Sequence, residues 1–177
     1  MRVQTLKKWN ASAGFYQFIP DRPPHGYMPW RMGAFHTDLI GGPYYQRPLH
    51  RHIVGVNLAA EIGLPAEVAI PTGDFDVPCV DMLYHGLMNS VLWLASGKML
   101  YIGCRGGIGR TGLFMAAMAK LMFTAHTEYY DWYVGPIEYV RATYKGTAVE
   151  TPQQKELIES LDLRMLAQSC MQILDKR

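Results

Sequence analysis

Lys98-Met99-Leu100-Tyr101-Ile102-Gly103-Cys104-Arg105-Gly106-Gly107-Ile108-Gly109-Arg110-Thr111-Gly112, with the apolar run that continues to Ala125, decides the fold class. Residues 98–102 read as a strand. Residues 111–125 are apolar on nearly every helical face, which predicts a helix buried at the centre of the molecule. Between them, Gly106, Gly107 and Gly109 permit the backbone angles that turn several N–H groups onto one anion. The helix that follows sets its positive dipole end and unsatisfied amides beneath the same point.

Working outward, two further runs of branched apolar residues, His52–Leu58 and Ala66–Ile70, are separated by Gly63 and Pro65 and predict buried neighbouring strands. From Asp81 to Ala95, Met82, Leu83, Leu87, Val91 and Leu92 recur at helical spacing, and Gly97 supplies a stop. Pro136 to Tyr144, closed by Gly146, predicts another helix. Thr151-Pro152-Gln153-Gln154 combines an N-cap, a proline at the first helical position and a glutamine three residues after the cap, so a long C-terminal helix is expected. Strands alternating with helices predict an α/β domain, a central, mostly parallel sheet flanked by helices. One domain is expected over residues 1–177. Six of the eleven prolines fall in residues 1–52 among Trp9, Tyr16, Tyr27, Trp30, Tyr44 and Tyr45, so residues 1–38 are expected to be an irregular lead-in packed through aromatics.

Composition narrows the function. With 49% hydrophobic and 18% charged residues the 177-residue chain can bury a core. A net charge of +2 does not imply a polyanion-binding protein, although residues 1–52 hold seven basic and two acidic residues and would favour a negatively charged ligand. Cys79, Cys104 and Cys170 are odd in number and too sparse for a disulfide scaffold, which fits a reducing compartment. Arg2, Lys7 and Lys8 are not followed by the apolar stretch of a secretory signal, and the richest apolar run, Leu113–Ala119, is stopped by Lys120. A soluble, cytoplasmic protein with no membrane span is expected.

An arginine six places after a cysteine occurs by chance about 0.17 times in a chain of this composition, so the pair means little without its glycines and helix. With them, amides and dipole that bind a phosphate also favour a thiolate, making Cys104 a candidate nucleophile. Arg110 offers a planar fork matched to two phosphoryl oxygens, and Thr111 a hydroxyl able to hydrogen-bond the sulfur. Cys104 to Gly112 resembles the signature of the cysteine-based protein tyrosine phosphatases, most of all their compact dual-specificity branch. The likeness extends over about residues 39–160. Leu39-Ile40-Gly41-Gly42-Pro43 is similar to the family's opening segment, Val56-Asn57-Leu58 through Glu61 to its first core strand, and Thr151 to Gln154 to its late helix start. One departure stands out: the family usually has His immediately before the nucleophile, and this chain has Gly103.

Such a resemblance implies a phosphatase-type phosphate loop between the strand and the buried helix, with Arg105, Gly106, Gly107, Ile108, Gly109 and Arg110 around the phosphate. It implies a phosphoric monoester hydrolase acting through a cysteinyl-phosphate intermediate, needing no metal or organic cofactor, on a phosphorylated protein or peptide. The general acid is sought in Pro71-Thr72-Gly73-Asp74-Phe75-Asp76-Val77-Pro78, between a strand and a helix. The family's acid stands four residues before a proline, which selects Asp74, with Asp76 as rival. Arg105 is similar to residues of members that take highly acidic substrates, so inositol lipids or an RNA 5′ end are alternative substrates; a non-catalytic phospho-residue reader is a third reading.

Four further features have a plainer reading. Cys79, which could form a disulfide with Cys104, is expected to be a buried small residue. Gln154 is expected to cap its helix although, with Glu150, it stands where some members place the hydrolytic water. His36, His50 and His52 lack companions at metal-ligand spacing. The stripe Tyr129, Tyr130, Trp132 and Tyr133 is read as core packing.

Overall fold

In the computed structural model, which describes residues 25–126 and 135–176, five strands precede or interleave with five helices. The chain runs β1 (Gly26–Met32), β2 (Phe35–Pro43), a 3-10 turn at Tyr44–Gln46, β3 (Ile53–Ala59), β4 (Val68–Thr72), α1 (Val80–Ala95) and β5 (Met99–Cys104). It continues with α2 (Gly109–Ala125), α3 (Pro136–Thr143), α4 (Pro152–Ser160) and α5 (Arg164–Asp175). The tyrosine and tryptophan stripe at 129–133 lies outside the described residues.

Strand order is β1-β2-β5-β3-β4. β2, β5, β3 and β4 run parallel, and β1 is antiparallel to β2, so the sheet is mixed. β5 lies in the middle and carries Cys104 at its C-terminal end, where the chain leaves the sheet for α2. Alternate side chains along the strands feed two apolar clusters. Met28, Trp30, Val54, Val56, Ile70, Leu100 and Ile102 join the helices in the main core. On the opposite face Ile40, Ile53 and Tyr101 are covered by Tyr44, with Ile62 and Ala66 packed against them, so among the described residues the helices gather on one face.

α2 is buried along its length: Leu113, Phe114, Met115, Met118 and Leu121 are essentially inaccessible. Side chains of this size contribute about 1.5–3 kcal/mol each on burial, so α2 is the element the remaining helices assemble on. It touches α3, α4 and α5 as well as the sheet. Among the described residues no helix is long and apolar enough to cross a membrane.

Two expectations are corrected. Residues 26–38, read as irregular lead-in, form β1 and the start of β2. Met28, Trp30 and Met32 face the core while Pro29 and Arg31 are exposed, and Pro29 is tolerated because β1 is an edge strand. The hairpin is tied to the helices by Trp30 Nε1, which donates to Met118 O at 2.8 Å, and by Tyr139 Oη, which donates to Pro29 O at 2.6 Å.

The long C-terminal helix is instead two. Leu161 is extended, with φ −60° and ψ 125°, and both Leu161 and Leu163 turn into the core. The break is held from outside as well. Lys120 Nζ donates to the carbonyls of Ile158 and Glu159 at 2.7 and 2.8 Å, a cation at the C-terminal end of α4. Tyr84 Oη donates to Asp162 O at 2.6 Å.

Candidate active site

Residues 104–110 join β5 to α2 and form one wall of a cavity of about 300 Å³ lined by Asp74, Phe75, Cys104, Arg105, Gly106, Ile108, Gly109, Arg110 and Glu150. Three separate stretches of sequence therefore meet there: the glycine loop, the segment after β4, and the segment before α4. Gly107 is not in the lining. Its φ of +66° is the left-handed conformation that favours glycine, and a Cβ there would run into the backbone of Gly42 and lie 2.7 Å from Pro43 N.

Cys104 is only 3% exposed, and Thr111 Oγ1 donates to its sulfur at 3.2 Å. Arg110, also 3% exposed, is held from three sides. Its Nη1 donates to Glu61 Oε2 at 2.7 Å and to Thr72 O at 2.7 Å; its Nη2 donates to Glu61 Oε1 at 2.6 Å and to Asp74 Oδ1 at 2.9 Å. The bidentate fork to Glu61 is the geometry in which guanidinium and carboxylate match best. These hydrogen bonds draw the Glu61 carboxyl from 4.5 down to about 2, and the same contacts raise the Arg110 guanidinium.

Local backbone bonding places Glu61. Asn57, two residues before the end of β3, accepts the Ala59 N–H on Oδ1 at 3.0 Å and donates from Nδ2 to Ile62 O at 2.9 Å, so the turn carrying Glu61 is tied to the strand. Glu61 is a site residue that sequence reasoning noted only as the end of a strand. The signal available was indirect: a buried arginine needs a carboxylate, but nothing local says which.

Asp74 and Asp76 separate clearly. Asp76 N–H donates to Gly73 O at 3.2 Å, closing a turn with Asp74 and Phe75 at its centre, and Asp76 Oδ1 accepts the N–H of its own neighbour Val77 at 2.8 Å. Asp74 lines the cavity and Asp76 does not. Phe75, at φ +59° and 61% exposed, stands at the rim. The turn is anchored by Gln154 Nε2, which donates to Asp76 O at 3.2 Å.

Gln154 also completes the expected capping box with Thr151 and accepts the Glu150 N–H at 2.8 Å, while the Glu150 carboxylate lies against Gly109, where a Cβ would make that side chain shift. Arg105 lines the mouth and is exposed. Cys79, expected to be buried, is instead exposed at the start of α1 and outside the cavity lining. Among the described residues no group of three or more His, Cys, Asp or Glu could hold a metal ion.

The glycine before Cys104 has a steric cause. A Cβ on Gly103 would lie 2.8 Å from Gly42 O, 2.8 Å from Tyr44 Cα and 2.9 Å from Tyr44 N, all backbone atoms that cannot swing aside. Gly103 pairs with Gly42 where β2 and β5 run side by side, so a histidine has no room in this packing.

No protein-family model matches the sequence. Over 89 residues the chain is 32% identical to each of two curated proteins of Methanocaldococcus jannaschii, both described as uncharacterized. Half of this chain is covered in each match, and the chain spans about half the length of these relatives, 54% of one and 50% of the other.

Proposed function

We propose that the protein is a cysteine-dependent phosphoric monoester hydrolase of the protein tyrosine or dual-specificity phosphatase type, with 104–110 as its phosphate loop. One observation carries the reading: Cys104, Arg110 and Asp74, the three residue types that such chemistry needs, converge on one cavity from two distant segments, with Thr111 on the sulfur.

The chemistry follows from the placements. Cys104 thiolate attacks phosphorus, forming an S–P bond as the P–O bond to the leaving group breaks, and the Asp74 carboxyl gives that oxygen a proton. Water then attacks the cysteinyl-phosphate, Asp74 takes its proton, and the S–P bond breaks to return the thiolate, which the Thr111 hydroxyl stabilises. Loop amides and Arg110 hold the equatorial oxygens throughout.

Arg110 has five N–H donors, and its four hydrogen bonds to Glu61, Thr72 and Asp74 occupy Nη1 and Nη2. A phosphoryl group that takes Nη2 must displace Asp74, the weaker of the two carboxylate contacts at that nitrogen. Substrate binding thereby releases Asp74 toward the leaving oxygen while Glu61 keeps the guanidinium in place. Thiol chemistry of this kind suits a reducing compartment, and a cytoplasmic location is part of the proposal.

The test is hydrolysis of an aryl phosphate by the purified chain. Turnover that survives EDTA, is blocked by vanadate and disappears in Cys104→Ser supports the reading. Tight phosphopeptide binding without turnover supports a phospho-residue reader instead. Arg105 at the cavity mouth is the observation that favours a second class of substrate, one carrying further negative charge, such as an inositol phospholipid or an RNA 5′ end. A turnover panel of phosphotyrosyl peptide, phosphothreonyl peptide, inositol lipid and RNA triphosphate separates these.

A further inference from the structure

The carbonyl of Gly107, on the outer side of the glycine loop, receives two hydrogen bonds at once: Tyr144 Oη donates to it at 2.6 Å and Lys145 Nζ at 3.0 Å. Both residues directly follow α3, and neither lines the cavity. The convergence is built into the fold. Gly26 and Gly41 face each other across β1 and β2, and a Cβ on either would lie 2.5–2.7 Å from the nearest atoms of the Tyr144 ring. Two paired glycines thus leave a slot on the sheet that the ring fills, and the ring carries the hydroxyl to Gly107. Lys145 Nζ stands 5.2 Å from the centre of the same ring.

In a trans peptide the C=O and the following N–H point opposite ways. Holding the Gly107 carbonyl outward therefore turns the Ile108 N–H inward, and Ile108 does line the cavity. A cation on the carbonyl also polarises the peptide group and makes that N–H a stronger donor. Burial raises the Tyr144 phenol, which stays a donor. Burial lowers the Lys145 ammonium, and its Coulomb attraction to Cys104 acts in the opposite direction.

We infer that Tyr144 and Lys145 are positioning residues of the phosphate loop, which fix and polarise the Gly107–Ile108 peptide so that the Ile108 N–H serves the bound oxyanion. The inference rests on the phosphatase reading and deepens it. Neither side chain touches substrate; both act through one peptide group, and their effect is greatest where the anion's charge is greatest.

The experiment compares wild type with Tyr144→Phe, Lys145→Met, Lys145→Arg and the Tyr144→Phe/Lys145→Met double variant, reading kcat and KM for an aryl phosphate, vanadate inhibition and the urea midpoint. Tyr144→Phe and Lys145→Met are each expected to lower kcat and weaken vanadate roughly tenfold with KM little changed, the size of one charge-assisted bond acting at the oxyanion. Lys145→Arg restores most of both. The double variant loses less than the product of the two single losses, because both bonds serve one carbonyl. Variants that shift the urea midpoint but keep wild-type kcat and vanadate inhibition overturn the inference while leaving the phosphatase reading standing. A wild-type protein that neither turns over aryl phosphate nor binds vanadate overturns that underlying reading.

Discussion

Removing the Glu61 carboxylate probes the least conspicuous part of the site. Arg110 is buried, and two of its four bonds, at 2.7 and 2.6 Å, end on Glu61. Glu61→Ala leaves the guanidinium with Thr72 O and the Asp74 carboxylate alone. Each hydrogen bond to a charged group is worth about 1.5–3 kcal/mol when dry. The Glu61 side chain is 36% exposed, so water replaces part of what is lost, and the net cost in stability falls to about 1–3 kcal/mol. The functional loss has a different origin. With Glu61 gone, Asp74 becomes the main anchor of Arg110, and phosphate must compete with it for a guanidinium that is no longer held in place. A loss of kcat/KM of about 10- to 100-fold follows, equal to roughly 1.4–2.8 kcal/mol of transition-state stabilisation. Glu61→Gln, which keeps one acceptor oxygen, should fall between wild type and alanine. The assay is steady-state hydrolysis of an aryl phosphate beside urea unfolding of each variant. Wild-type kcat/KM in Glu61→Ala, with or without a change in urea midpoint, would refute the reasoning.

Three other outcomes are expected. Asp74→Asn should slow hydrolysis of a poor-leaving-group ester by about 10²- to 10⁴-fold, and Asp76→Asn, whose side chain serves only the local turn, should leave it near wild type; equal effects in a kcat comparison would contradict the assignment. Gly103→Ala should destabilise by about 1–3 kcal/mol in urea, since its Cβ meets the Gly42 and Tyr44 backbone, and a neutral result would show that this packing gives way. The depressed Glu61 carboxyl contributes stability that is fully present above 4.5 and is lost as pH falls through about 2. The urea midpoint of wild type should therefore drop more steeply over that window than that of Glu61→Gln; parallel curves would contradict the pairing.

Much of the architecture was legible because it is local. The strand at Met99–Cys104, the glycines and the apolar α2 are contiguous, and their order alone places Cys104 at the end of a strand and the start of a buried helix. The capping box at Thr151 was readable for the same reason. Prolines misled in one place and not the other. Pro29 and Pro71 both sit in edge strands, β1 and β4, where a missing N–H costs little, yet only the β4 region lay beside a run apolar enough to be recognised. In β1 the inward Met28, Trp30 and Met32 alternate as a strand should, but Pro29 and the surrounding aromatics obscured the period. The helix break at Leu161–Leu163 is held by Tyr84 and Lys120, which are distant in sequence, and locally by Asp162, whose Oδ1 accepts the Arg164 N–H.

The site divides along the same line. Cys104, Arg110 and Thr111 belong to one short stretch and stand out by residue type and spacing, whereas Asp74 was singled out over its rival Asp76 only by the family resemblance. Glu61 meets Arg110 across 49 residues, and Tyr144 meets Gly107 across 37. Such partners are chosen by the topology that brings the turn after β3 and the end of α3 to the segment between β5 and α2, and no spacing in the chain encodes them. Gly103 gains its meaning only in three dimensions, from the backbone of Gly42 and Tyr44 beside it.

The central claim is that Cys104 carries the phosphoryl group between substrate and water. The direct measurement is acid quenching during turnover of an activated aryl phosphate, with Asp74→Asn used to slow the second step, followed by mass spectrometry of the peptide containing Cys104. One phosphoryl group on Cys104, absent from Cys104→Ser, is the result predicted. Turnover with Cys104 unmodified, or a phosphoryl group on another residue, would contradict the account.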